Sequence, residues 1–266
     1  MIHHKKVAVI TGAAQGIGRC TAELFAAQGY QLALIDLKPL AGIAQTCRQR
    51  GAQVLEIAGD ISHEDTVASL ASQVRQEWGR VDVLVNNAGI SFISPAEQVS
   101  AADFRRVLEI NLVAPFMLAK SLGSMMLAQR SGSIVNVASV AGLVGIADRV
   151  GYNASKHGLM GLTRTLAAEW GGRGVRVNAV CPGWVKTEMD VADQATAGYT
   201  DKDITNRVPM ARFASPNDIA QAIAFLADAK LSGYINGHAL TVDGGWVNDG
   251  SWETLRLRHR SRGDEI

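Results

Sequence analysis

Val7-Ala8-Val9-Ile10-Thr11-Gly12-Ala13-Ala14-Gln15-Gly16-Ile17-Gly18 is the stretch that decides the fold. An apolar run of strand length breaks into a glycine-rich turn, and an amphipathic segment opens at Gly16. A strand feeding a helix through such a turn is the first half of a βαβ unit, and here the turn has the setting of a dinucleotide site. Working outward, the same alternation continues along the chain. Strands are expected near residues 6–11, 31–37, 53–59, 81–86, 133–139, 175–181 and 239–243, with helices near 16–28, 40–50, 64–78, 101–130, 151–171 and 216–227. The strand segments are near-continuous Val/Ile/Leu runs, as parallel strands covered on both faces require. The expectation is α/β: a single-domain, doubly wound parallel sheet of about seven strands with helices on both faces. The domain is placed at 1–247, followed by a C-terminal extension at 248–266, and the least regular segments are 188–214 and the tail from Trp246.

The glycines permit close backbone approach, and the start of the following helix offers free N–H groups and a positive dipole end to a pyrophosphate. Gly12, Gln15, Gly16, Ile17 and Gly18 are the candidate contacts, although the spacing is G-x-x-x-G-x-G rather than G-x-G-x-x-G. The plainer reading is a glycine turn used only for tight packing. Asp36 closes the second expected strand, 18 residues after Gly18, where an acid can accept hydrogen bonds from ribose hydroxyls and would repel a 2′-phosphate. Lys38 is near and partly offsets it, but Gln15 is uncharged and no arginine replaces the acid, so NAD is favoured over NADP. Asp60 and Ile61 after the third strand and Asn86-Asn87-Ala88-Gly89 after the fourth share the carboxyl edge of the sheet, where ligands bind in open α/β folds. Structural turn roles compete for the Asn pair.

Tyr152 and Lys156 are four residues apart, hence neighbours on one helical face. A phenol, whose unperturbed pKa is about 10, trades protons near neutrality only where a positive charge favours the phenolate, and Lys156 supplies one. By itself the spacing also suits a solvated helix surface. Ser139 ends the fifth expected strand, 13 residues before Tyr152, so a returning loop can bring two hydroxyls to one carbonyl. Asn111 lies in the long fourth helix, and Pro115 four residues on lacks the N–H that would bond its carbonyl. A kink is expected there, with the Asn111 carbonyl left to hold a water between the lysine and bulk solvent; a kinked packing helix is the alternative.

Taken in order over residues 5–247, Thr11-Gly12-x3-Gly16-x-Gly18, Asn86-Asn87-Ala88-Gly89, Asn111, Ser139, Tyr152-x3-Lys156 and Pro182-Gly183 resemble the short-chain dehydrogenase/reductase family. The resemblance implies a Rossmann-type domain carrying NAD or NADP. It also implies Tyr152 as general acid/base, Ser139 holding the substrate oxygen, Lys156 lowering the tyrosine pKa and binding nicotinamide ribose, and Asn111 in a proton relay. Pro182-Gly183 with Val185 and Thr187 resembles the family's contact to the nicotinamide carboxamide, and Asp243-Gly244-Gly245 its terminal-strand signature. A homotetramer through the helices carrying Asn111 and Tyr152 is implied as well, with Ala154, Leu159, Leu162, Ala167 and Trp170 as its small and apolar residues.

The composition agrees with that class. A formal net charge of +1 gives no field to recruit nucleic acid or an acidic membrane, so a small-molecule alcohol or ketone is the expected partner. Three scattered cysteines lack metal-ligand spacing, and their odd number without a secretory signal points to the cytoplasm. The expected activity is NAD-dependent interconversion of a secondary alcohol and a ketone. Alternatives are NADPH-dependent reduction of 3-oxoacyl chains, with Arg130 and Arg173 meeting an acidic carrier protein, and a non-catalytic dinucleotide-sensing scaffold. Substrate contacts are expected from Val140 to Arg149, where the polar pair Asp148-Arg149 either touches a hydroxylated substrate or forms a solvated turn, and from Glu188 to Met210. The tail with Leu255, Leu257 and Arg256, Arg258, Arg260 and Arg262 either reaches a neighbouring subunit or is a frayed basic end.

Overall fold

The computed structural model describes residues 5–251, so the tail residues above and the first four residues lie outside it. Seven strands form one sheet: β1 (Val7–Thr11), β2 (Gln31–Asp36), β3 (Val54–Ala58), β4 (Val83–Asn86), β5 (Gly132–Val137), β6 (Val175–Pro182) and β7 (Ala239–Val242). Their spatial order is β3-β2-β1-β4-β5-β6-β7, and all six pairings are parallel. Ten α-helices are described: α1 (Gly16–Ala27), α2 (Ala41–Gln49), α3 (Glu64–Trp78), α4 (Ala101–Leu108), α5 (Ala114–Gln129), α6 (Val150–Trp170), α7 (Glu188–Ala197), α8 (Asp201–Arg207), α9 (Pro216–Ala227) and α10 (Ala229–Ser232). The doubly wound parallel sheet expected from the alternating pattern is therefore what the chain forms.

Side chains of β1 alternate between two cores. Val7 and Val9 pack with Val67, Leu70 and Val74 of α3, Leu118 and Leu122 of α5 and Trp170 of α6. Ala8 and Ile10 face the other way, toward Phe25 of α1, Ile43 of α2 and Ile219 and Ile223 of α9. Burying each such side chain contributes about 1.5–3 kcal/mol, so a one-residue slip of β1 would exchange both cores at once. From β1 the chain runs to β2 and β3 on one side and then to β4 on the other. The loops leaving β1 and β4 diverge at their carboxyl ends, and that divergence opens a crevice.

Three local differences from the sequence reading have physical causes. The single helix expected at 101–130 is two helices joined by a π-helical turn at Glu109–Val113. Pro115 offers no N–H to the Asn111 carbonyl, and the ladder shifts by one residue, with the Ala114 N–H bonding the Glu109 carbonyl. β5 ends at Val137, so Ser139 lies two residues beyond the strand. The segment expected to be irregular carries α7 and α8. Thr187 caps α7, and Thr200 and Asp203 form a reciprocal capping box at α8.

The segment 101–129 is also the one helical stretch, among the described residues, long and apolar enough to cross a bilayer. Here Leu118, Leu122 and Met126 of that segment are fully buried against the sheet.

Candidate active site

A crevice of about 450 Å³ follows the carboxyl edge of the sheet and is lined from the glycine turn to α7. At one end Gly12 and Gly16 adopt positive φ, +63° and +52°. A Cβ on Gly18 would stand 2.1 Å from the Gly12 carbonyl, so only glycine lets α1 start this close to β1. The turn is fastened to β4 by Thr11 and Asn87. The Thr11 hydroxyl accepts the N–H groups of Asn87 and Ala88, each at 3.0 Å, and the Asn87 amide donates to the carbonyls of Thr11 (2.9 Å) and Gly12 (3.0 Å). Asn86 has a different task. It bonds Asn136, which in turn bonds Thr163 of α6.

The start of α1 has no side-chain cap and no acid in its first turn. A glycine floor that any Cβ would fill, beneath an uncapped helix end, fits a pyrophosphate. Gln15, Gly16, Ile17, Asp36, Asp60, Ile61, Asn87, Ala88 and Gly89 line the crevice with Gly12, whereas Gly18 lies beneath it. Asp36 accepts the N–H groups of Ala14 and Lys38, both at 2.9 Å, and Lys38 Nζ bonds the Gln15 side chain at 2.5 Å. Asp36 and Lys38 thus line the crevice side by side, with both held in place by hydrogen bonds. Asp60 is bonded to the Ser62 N–H and hydroxyl. Burial pushes its carboxyl up, but these bonds, with His63 and Arg106, outweigh it and hold the group below the usual carboxylate range.

Past Gly89 lie the candidate reacting groups. Ser139, Tyr152 and Lys156 all line the crevice. Gly142 lets the loop after β5 lie on α6, since a Cβ there would be 2.8 Å from the Lys156 carbonyl. Ser139 is extended and accepts the Ala141 N–H at 3.1 Å, which turns its hydroxyl toward Tyr152. Burial raises the Tyr152 phenol above its ordinary value, while the Ser139 bond and the Arg149 charge lower it and Asp193 and Cys181 raise it. Lys156 is 4% exposed, bonds the Val137 carbonyl at 2.8 Å and lies 5.5 Å from the Tyr152 ring centroid. Burial pushes its ammonium down to about 8. The lysine is therefore a tethered neighbour of the phenol, and the groups acting downward on Tyr152 in this geometry are Ser139 and Arg149.

Asn111 does not line the crevice. It is 1% exposed, and its side chain clasps Ile90, accepting the N–H and donating to the carbonyl at 2.9 Å each, with a further 3.1 Å bond to Ser155. A Cβ on Gly89 would be 3.1 Å from Asn111 Oδ1 and 3.6 Å from Lys156 Nζ, so glycine keeps the space before the lysine clear.

At the far end Pro182, Gly183, Val185 and Thr187 line the wall. Gly183 packs on β7, where a Cβ would be 2.9 Å from Asp243, and the Asp243 carboxylate accepts the N–H groups of Gly245 and Val247. Thr187 faces Gly16 across the crevice while capping α7. Arg149 is only 13% exposed in its side chain and is no solvated turn residue. Its Nη1 donates to Asp193 at 2.7 Å and to Ser91 at 2.8 Å. Ser91, Asp193 and Tyr199 were not singled out from sequence, because 58 and 44 residues separate Arg149 from the first two.

Arg130 and Arg173 immediately precede β5 and β6, at the amino edge of the sheet and so opposite the crevice. Of the five residues expected at a subunit interface, Leu159, Ala167 and Trp170 are spent on the protomer's own core; Ala154 is exposed and Leu162 half-buried.

Comparison with known proteins agrees with this fold. A family model described as Enoyl-(Acyl carrier protein) reductase matches residues 12–247. The chain is 41% identical over 245 residues to D-threitol dehydrogenase of Mycolicibacterium smegmatis, covering 91% of this chain and 93% of that protein. It is 43% identical to the uncharacterized short-chain type dehydrogenase/reductase y4vI of Sinorhizobium fredii, across 91% of this chain, and spans 44% of that protein's length. A solved structure of a putative NAD(P) dependent gluconate 5-dehydrogenase from Beutenbergia cavernae, with NADP bound at low occupancy, superposes with a TM-score of 0.87 at 40% identity, covering 92% of this chain and 97% of that one. The chain belongs to the short-chain dehydrogenase/reductase family. It is an oxidoreductase of a family that binds a nicotinamide dinucleotide and acts on small molecules.

Proposed function

We propose that this protein interconverts a secondary alcohol and a ketone with NAD, using Tyr152 as general acid/base. The observation that carries the proposal is the convergence of Tyr152, Ser139 and Lys156 on one crevice with the glycine cradle. Ser139 and Tyr152 present two hydroxyls to one substrate oxygen, and the Tyr152 phenol takes or gives the proton at that oxygen. Lys156, held at the Val137 carbonyl behind the ring, keeps a positive charge beside the phenol at neutral pH. When bound, the nicotinamide ring supplies or accepts the hydride. Gly12 through Gly18 and Asn87 to Gly89 would hold the dinucleotide, with Pro182, Gly183, Val185 and Thr187 toward its nicotinamide end.

Asp36 supports NAD, because its carboxylate would repel a 2′-phosphate. The relative with NADP bound supports the other choice, and Lys38 stands close enough to assist it. The amino-edge position of Arg130 and Arg173 weighs against a carrier protein docking through them. Oxidation of an alcohol panel, followed by absorbance of the reduced nicotinamide with NAD and with NADP, tests the reading. NAD-dependent turnover is expected; preference for NADP would remove the Asp36 argument, and no turnover with either would favour a sensing role. A homotetramer through α5 and α6, where Phe116 and Ala154 are exposed, belongs to the same proposal and is checked by light scattering. Free thiols at Cys20, Cys47 and Cys181 support a cytoplasmic location.

A further inference from the structure

We propose that Arg149 and Asp193 together form the specificity element of this site, and that the pair selects a neutral polyol by binding a hydroxyl vicinal to the reacting carbinol. The inference rests on the alcohol/ketone reading above and names the substrate class for it. Both side chains line the crevice beside Tyr152, and both are largely buried, at 13% and 15% exposure. Arg149 immediately precedes α6, three residues before Tyr152, so its side chain and the phenol leave the same end of that helix.

The pair is built rather than incidental. Asp148 holds a positive φ of 60°, an uncommon backbone state for a residue with a side chain, and its carbonyl accepts the Ser94 N–H at 2.9 Å. That cross-link brings the 91–94 loop against the start of α6, where Ser91 meets Arg149. From the other side α7 delivers Asp193.

The ion pair and the Ser91 bond both use Nη1, and Tyr199 also bonds the guanidinium, whose five N–H donors exceed these three partners. Asp193 uses Oδ2 for Arg149 and leaves Oδ1 as an acceptor. Donor and acceptor side by side suit a hydroxyl, which both accepts and donates. Charge argues in the same direction. At this end Arg149 is already paired with Asp193 and Lys186 with Asp190, and Glu188 adds a further carboxylate. A carboxylate or phosphate on the substrate would have to compete with Asp193 for the one guanidinium beside Tyr152. A hydroxyl would not.

The test compares 2-butanol, 2,3-butanediol and 3-hydroxybutyrate as substrates of wild type, Arg149→Leu and Asp193→Asn, with NADH binding followed by fluorescence to verify folding. The diol differs from 2-butanol by one vicinal hydroxyl. Wild type should prefer it by at least about tenfold in kcat/KM, beyond the factor of about two from its second carbinol, and should use the hydroxy acid least. In Arg149→Leu the diol/monool ratio should collapse toward that statistical value, chiefly through KM, and in Asp193→Asn it should fall in the same sense. If the pair only latches α7 to the loop, both substrates decline together and the ratio stays; that result overturns the proposal. So does a wild type that makes no distinction, or one that prefers the hydroxy acid. Should Arg149→Leu no longer bind NADH, the isosteric Asp193→Asn decides by the same ratio. Wild type inert toward every alcohol with both cofactors would instead overturn the alcohol/ketone reading itself.

Discussion

The nucleotide end of the crevice is held by backbone, and the substrate end by side chains. At the first, Thr11 and Asn87 fasten the glycine turn through four bonds to main-chain groups, and the tolerances are set by Cβ positions such as that of Gly18. At the second, Arg149, Ser91, Asp193 and Tyr199 meet only through their side chains, on a loop and on α7. A backbone cradle recognises a group common to all dinucleotides, and its selectivity is not changed by exchanging one lining side chain for another of similar size. A side-chain constellation can be altered in that way. On the reading proposed above, dinucleotide binding belongs to one half of the crevice and substrate choice to the other.

Tyr152 stands at the joint between these halves, so its removal offers the largest test. Tyr152→Phe should lower kcat by about 10²–10⁴-fold while NADH binding changes little, measured by steady-state kinetics and fluorescence titration. Loss of both would mean the phenol also supports the cradle. Next in size is Thr11→Val, which keeps the shape and deprives the Asn87 and Ala88 N–H groups of their acceptor. About 2 kcal/mol of stability should be lost in urea denaturation, with weaker NADH binding. A neutral outcome would break the claim that backbone bonding holds this end.

A third test concerns the buried Lys156. Its folded value of about 8 lies below the ~10.4 of an unfolded lysine, so between those values the unfolded chain binds the extra proton and rising pH stabilises the native state. Relative to Lys156→Met, wild type should therefore gain about 1–2 kcal/mol between pH 8 and 9.5, with no change in the difference below pH 7. A flat difference across that window would show the ammonium to be well solvated. The smallest effect is expected at the side-chain-built end. Thr187→Ala removes the cap of α7 and should cost about 0.5–1 kcal/mol, seen as faster hydrogen exchange in that helix with little change in global melting.

Legibility followed range. Gly12 to Gly18, Asp36 and the Tyr152–Lys156 spacing could be read because each lies within one element or one turn, where residue type and spacing set geometry. Pro115 announced a disturbance near Asn111. It did not announce its form: the disturbance is a π-helical turn, and the Asn111 side chain clasps Ile90, which depends on where the loop after β4 passes that helix. α7 and α8 were passed over although Thr187, Thr200 and Asp203 were visible as capping residues, because the segment lacks a strong apolar period. The Thr11 hydroxyl, as the fastener of the turn, was missed because its partners are 76 and 77 residues away.

The sequence by itself determined the parallel α/β architecture and singled out the glycine turn and the Tyr152–Lys156 pair, since apolar periodicity and short spacings act locally. Only the tertiary structure decided which charges meet at the far end of the crevice. Arg149, Ser91 and Asp193 carry no shared local pattern, and their meeting depends on how the loop after β5, the 91–94 loop and α7 close on one another. That is why the family is written in short motifs, while the proposed substrate class rests on side chains brought together by the fold.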